Sequence, residues 1–217
     1  MSRDSELQRA VLDELAWEPQ LDSAHIGVTA ELGVVTLTGH VQSYRQKLAA
    51  EKAATRVKGV KALAEELAVK LPFAVLRNDE DIAKAAVERL SWDSALPQGA
   101  IAITVEKGWV TLTGTVEWKF QRDAAARHVH GLLGVVSVSN QIEIMPTVSA
   151  ANVGADIAHA LRRSWFYDPN TIMVTAEGGA IKLTGEVSTW NARDLAASTA
   201  WSARGATSVH NDISVKS

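Results

Sequence analysis

The sequence predicts an α+β fold: three tandem αββαβ units, each a three-stranded mixed sheet with two helices packed on one face. Three observations predict it. Val35-Thr36-Leu37-Thr38-Gly39 returns as Val110-Thr111-Leu112-Thr113-Gly114 and as Ile181-Lys182-Leu183-Thr184-Gly185, with the glycines 75 and 71 residues apart. Each of these glycines has a partner 20 residues on (Gly59, Gly134, Gly205) and another six residues back (Gly33, Gly108, Gly179). Around them the apolar period alternates between helical and extended in the same order each time. A fixed period of this kind marks one structural unit used three times.

In the first copy, Leu7, Ala10, Val11 and Leu15 follow the helical period. Asp4 and Glu6 sit at the start, where negative charge suits the helix dipole, and Trp17 with Pro19 closes the segment. Trp17, Trp92 and Trp165, near the ends of the first helices, read as core. Two strands follow. Ile26, Val28 and Ala30 alternate with polar or small residues, and so do Val35, Leu37, Gly39 and Val41. Period two with one apolar side describes a sheet covered on one face. Gly33, between the strands, is the expected positive-φ turn residue. A second helix is expected from about Ser43 to Lys58, with Ser43 and Gln46 as a capping box. Its inward face is small: Ala49, Ala50, Ala53, Ala54 and Val57. Gly59 stops it. A last strand, roughly Val60 to Lys70, carries Leu63, Leu67 and Val69 inward.

The later copies repeat these positions. Leu7, Ile82 and Ile157 begin the first helices, and Trp17, Trp92 and Tyr167 end them. The third copy is four residues shorter before its first strand, a change expected in a loop. Pro72 and Pro146 mark the joints, which predicts domains at 1–71, 72–146 and 147–217. A unit of about 70 residues buries only about 60% of its unfolded surface and is marginal alone, so packing between units is expected.

Bulk composition narrows the function. Net charge is -3, and the three segments carry 9, 7 and 6 basic residues against 10, 9 and 6 acidic ones. No segment has the basic surplus needed to grip nucleic acid or to anchor a polybasic membrane contact. There is no cysteine, which excludes disulfides, thiolate zinc sites and cysteine catalysis. No run approaches the roughly 20 apolar residues of a transmembrane helix. The first residues lead straight into an amphipathic helix without a signal-peptide apolar core. The expected location is cytoplasmic rather than periplasmic.

Catalytic and metal motifs do not emerge. The six histidines, His25, His40, His128, His130, His159 and His210, are scattered, and His128 and His130 diverge on a helix. Glu65 and Glu66 point to opposite faces of a strand. Asp79, Glu80 and Asp81 crowd a helix start, where the dipole accounts for them. Phosphate-loop, dinucleotide, zinc-protease and serine-hydrolase signatures are absent. No enzyme activity, cofactor or metal is expected.

The aromatic residues carry the functional reading. Trp109 sits beside a hairpin turn. Tyr44, Trp118, Phe120 and Trp190 cluster where the second helices begin, a place open to solvent in which aromatics suit a lipid or protein interface. Packing between neighbouring copies would also use aromatics there, and both readings stand. Lys119, Arg122 and Arg127 accompany Trp118 and Phe120, so this helix start could meet anionic headgroups, although Glu117 and Asp123 sit among them.

Val-Thr-Leu-Thr-Gly, a valine two positions on, an alanine-rich helix closed by Gly-Val, and a strand bearing Asn and an apolar residue resemble the BON domain, of the OsmY-like kind. The second copy shows it best, in Val110 to Gly114, Val116, Ala124 to Ala126, Gly134-Val135, Asn140 and Ile142. Glu65 departs from Asn140 and Asn211, and Gly205-Ala206 departs from Gly-Val. The resemblance covers nearly the whole chain, three times over. It implies a non-enzymatic, osmotic-stress-associated binding module that contacts phospholipid surfaces or partner proteins. A relative with one BON and one LysM domain binds potassium, so the resemblance also implies, as an alternative, a potassium or small-ligand sensor whose domains rearrange on binding. Oligomeric state is left open.

Overall fold

A computed structural model describes residues 3–145, 152–164 and 171–215. The first copy runs α1 (Arg3–Trp17), β1 (Ile26–Glu31), β2 (Val34–Val41), α2 (Tyr44–Arg56) and β3 (Ala62–Val69). The second runs α3 (Asp79–Ser91), β4 (Ile101–Glu106), β5 (Trp109–Val116), α4 (Lys119–His130) and β6 (Ser137–Ile144). The third runs α5 (Val153–Leu161), β7 (Ile172–Glu177), β8 (Ala180–Val187), α6 (Trp190–Trp201) and β9 (Ser208–Val215). The fold is α+β, with three three-stranded mixed sheets ordered β1-β2-β3, β4-β5-β6 and β7-β8-β9. By compactness the chain forms two units. One is Met1–Asp93, Ile103–Leu112 and Ala126–Asn140; the other is Ser94–Ala102, Thr113–Ala125 and Gln141–Ser217. The division runs through the middle copy.

Local chemistry explains each sheet. Leu32 (φ 51°) and Gly33 (φ 88°) form the two-residue turn of an antiparallel β1–β2 hairpin, in register Ile26↔Gly39 to Glu31↔Val34. Two positive φ values are what a hairpin turn of matching twist requires. β3 then pairs parallel to β2, from Val34↔Ala62 to Val41↔Val69. A parallel return needs a crossover, and α2 is that crossover. β7, β8 and β9 repeat this pattern, down to Ile172↔Gly185 and Leu183↔Asn211. The landmark glycines lie where the hairpin strands crowd. A Cβ on Gly39 would stand 2.1 Å from the His25 carbonyl oxygen, on Gly114 2.0 Å from that of Ala100, and on Gly185 1.8 Å from that of Thr171.

The core of the first copy joins Leu7, Val11 and Leu15 of α1 to alternate strand residues such as Val35 and Leu37, and to Ala50, Ala53 and Ala54 of α2. Small alanines let α2 lie close to the sheet. The third copy repeats this with Ile157, Leu161, Ile181, Leu183, Ala192, Ala196 and Ala200.

The structure corrects several expectations. Ala10, read as inward, is exposed, and Ala49 and Val57 are only half-buried. Trp17 and Trp92, read as core, are 82% and 80% exposed. Helical geometry gives the reason. The buried stripes are Leu7-Val11-Leu15 and Ile82-Ala86-Leu90, and a residue two past the last stripe member is turned about 200° away. Trp165, Tyr167 and Pro146 lie outside the described residues.

Candidate binding surface

The second helices begin differently in the three copies. Ser43 caps α2, its hydroxyl accepting from the Gln46 backbone N–H at 3.2 Å. Thr189 caps α6, accepting from Ala192 N–H at 3.1 Å. The equivalent residue before α4 is Trp118, which has no oxygen to offer. Gln121 Oε1 accepts from the Glu117 and Trp118 N–H groups at 3.1 Å each, much as Gln46 Oε1 accepts from the Gln42 N–H at 3.0 Å in the first copy. The Gln121 N–H that a cap would serve turns to the Trp118 carbonyl at 3.2 Å. A side-chain cap contributes about 1 kcal/mol to a helix, so the middle copy carries a large aromatic at some local cost. Departures from local rules concentrate at functional positions.

Trp118 is half-buried and lies beside exposed Phe120, with ring centroids 6.4 Å apart. Together with Trp201 they wall an open groove of about 590 Å³. Lys119 lies in it, paired with Asp123 and placed over the Trp201 ring, Nζ 5.4 Å from the centroid. A cation over an indole face is held by the ring quadrupole. The exposed carboxylate of Asp194 borders the same groove.

Other sequence-predicted residues have different surroundings. Tyr44 is half-buried against His130, with centroids 5.3 Å apart and planes at 78°. Burial pushes its phenol pKa up, and a backbone contact with Val138 opposes that rise. Trp109 is exposed beside its turn, and Trp190 is 66% exposed with Arg193 5.5 Å from its ring centroid. Arg122, half-buried, occupies the position of Lys47 and Arg193 in the other copies. Those two residues brace the last strand. Lys47 donates to the Leu67 carbonyl at 2.9 Å and pairs with Glu65 at 2.8 Å. Arg193 donates to the Ile213 and Asn211 carbonyls at 2.8 and 3.0 Å. Glu65 and Asn211 in turn each accept from the N–H two residues on, at 2.6 and 3.2 Å.

The exposed Trp17 and Trp92 were missed by sequence reasoning. Their signal was their phase against the apolar stripe. A second missed feature ties α3 to its hairpin: Asp79 accepts from the Lys107 and Gly108 N–H groups at 2.7 and 2.9 Å. His25 and His40 stack with centroids 4.6 Å apart. Desolvation, then Lys70 and His25, hold the His40 pKa below its ordinary value. Among the described residues no group of three or more histidines and acids is placed to hold a metal, and no helix is long and apolar enough to cross a membrane. A carbonyl-lined potassium site, the alternative implied by the resemblance, has no such side-chain signature.

The BON domain family model matches residues 3–70, 78–146 and 149–217. The chain belongs to the BON domain family. As a BON protein it is similar to osmotically-inducible protein Y of Escherichia coli strain K12, 28% identical over 144 residues, covering 64% of this chain and 72% of that protein. Among solved structures it matches the C-terminal domain of CdsD, a structural protein of the type III secretion system of Chlamydia trachomatis. That match has 17% identity, coverage of 98% of both chains and a TM-score of 0.27. It also matches the PrgH periplasmic domain, at 11% identity, covering 95% of this chain and all of that one, with a TM-score of 0.22.

Proposed function

We propose that this BON protein is a non-enzymatic, stress-associated adaptor that docks on an anionic phospholipid surface through exposed aromatic side chains. Its modules divide at 1–71, 72–146 and 147–217. The observation that carries the reading is the exposure of Trp17 and Trp92, at 82% and 80%, in equivalent places on two modules. Exposed Trp109 and Phe120, and half-buried Trp118 with Lys119 next to it in the chain, are further candidate contacts. The similarity to an osmotically-inducible protein supports the association with stress.

Magnitudes favour a surface contact. A tryptophan presents roughly 150–250 Å², so covering four-fifths of one releases about 3–5 kcal/mol gross at about 25 cal/mol/Å². Two such residues together supply about 6–10 kcal/mol gross, of the same order as the cost of association, so attachment needs both rings at once. Net charge is -3, so the rings rather than long-range charge must hold the surface, and attachment should depend weakly on salt.

Flotation with phosphatidylglycerol vesicles tests this. The protein is expected to float with the vesicles, and Trp17→Ser/Trp92→Ser to stay at the bottom of the gradient with its melting temperature unchanged. A wild-type protein that does not float at low salt, or a double variant that floats equally well, would refute the reading. In that case the aromatics are left for a protein partner.

A further inference from the structure

The first residue of the second helix is Tyr44, Lys119 or Trp190 in the three copies, and eleven residues on stand Thr55, His130 and Trp201. The first of these residues reaches the next copy's second set. Tyr44 meets the ring of His130 at 5.3 Å, and Lys119 lies over that of Trp201 at 5.4 Å. All four residues are half-buried. The same step is thus taken twice, with different chemistry: an edge-on aromatic contact, then a cation on an indole.

A further step of this kind would carry Trp190 onto position 55 of the next module in line. Trp190 is 66% exposed, and Thr55 is exposed too, its hydroxyl bonded to its own helix at Glu51 and Lys52. We propose that the next module in line is the first module of a second copy of this chain, and that Trp190 docks there against Thr55 and Lys52.

The neighbouring positions support this occupant. Lys52 corresponds to Arg127 and Ser198, which border the grooves beside the two existing contacts. Lys52 itself borders the first of those grooves and stays exposed. Its ammonium suits the face of Trp190 as Lys119 suits Trp201, with the roles of the two sides exchanged. Asp194 corresponds to Asp123, which borders the second groove. It brings a carboxylate to the side that would meet Lys52. The two surfaces differ, so the contact is heterologous and adds copies head to tail rather than closing a symmetric pair.

Sedimentation without lipid tests the proposal independently of vesicle binding. The average mass of the wild-type protein is expected to rise with concentration past that of a dimer. Trp190→Ala lacks one surface and Thr55→Glu the other, so each alone should associate at least tenfold more weakly, with helical content and melting temperature unchanged. An equimolar mixture of the two has one intact contact and should form dimers and stop there. A wild-type protein that stays monomeric, association that survives either substitution, or a mixture that fails to pair would each overturn it.

Discussion

Replacing Gly114 by alanine should unfold the middle module. The residue sits in β5 at φ 129°, where an L side chain costs roughly 1–2 kcal/mol in backbone sterics alone. The added methyl would stand 2.0 Å from the Ala100 carbonyl oxygen and 3.1 Å from its carbonyl carbon. Both are backbone atoms, so no flexible side-chain end can move aside, and the hairpin strands must part at that point. Losses above 4–5 kcal/mol are exceptional for one substitution, and this combination belongs among them. A module of this size, at about 0.05–0.15 kcal/mol per residue, holds only about 4–10 kcal/mol in total. The expected result is loss of the middle module's cooperative transition in a circular-dichroism melt, with its amide signals collapsed in a proton–nitrogen spectrum. Gly99→Ala separates the two causes. Gly99 has φ 73° but no atom within 4 Å of a built Cβ, so it should lose about 1–2 kcal/mol. If Gly114→Ala costs no more than Gly99→Ala, the close-approach reasoning is wrong for all three landmark glycines.

Three further outcomes are expected. Trp118→Ser restores the missing cap, worth about 1 kcal/mol, and removes a ring pair worth about 0.5–1.5 kcal/mol. Its melting temperature should change little while vesicle binding falls several-fold, and unchanged binding would take Trp118 out of the surface. Asp79→Ala removes both acceptors from the Lys107–Gly108 turn and should cost about 1–3 kcal/mol in chemical denaturation, whereas a loss below a few tenths would show that the clip is idle. Acid should weaken the fold through His40 and through His130, whose pKa is lowered by desolvation, then Lys52 and Arg127. A base whose folded pKa is depressed adds stability above its unfolded value near 6.5, and that contribution is lost as pH falls through the lower folded value. Denaturation of His130→Gln between pH 7 and 5 should therefore show a shallower decline than wild type, and parallel curves would refute the assignment.

What the sequence made legible was local or repeated. A glycine forced by backbone crowding recurs wherever the crowding recurs, so the spacing of Gly39, Gly114 and Gly185 exposed the architecture. Ser43 with Gln46 marked a helix start because a cap is satisfied within four residues. The tryptophans were harder. Residue type suggested core for Trp17, and only its phase against Leu7, Val11 and Leu15 places it outside. The exchange of a capping hydroxyl for Trp118 emerges by lining up the copies. The meeting of Tyr44 with His130 depends on how helices far apart in the chain are placed, which periodicity does not encode.

The brace between second helix and last strand has a consequence for how such a chain can be rearranged. In the first copy it is an acid–base pair, Lys47 with Glu65. In the third, Arg193 donates to the Ile213 and Asn211 backbone carbonyls, and the Asn211 side-chain amide donates back to the Arg193 carbonyl at 3.1 Å. A genetic crossover between these copies, anywhere from helix to strand, would join lysine to asparagine, which leaves the ammonium without its carboxylate, or arginine to glutamate, which is again an acid–base pair. The middle copy holds Arg122 and Asn140 at these places, the same residue types as the third. Exchange between those two leaves the pairing unchanged, and only the hybrid that keeps Lys47 and gains an asparagine loses a charge partner.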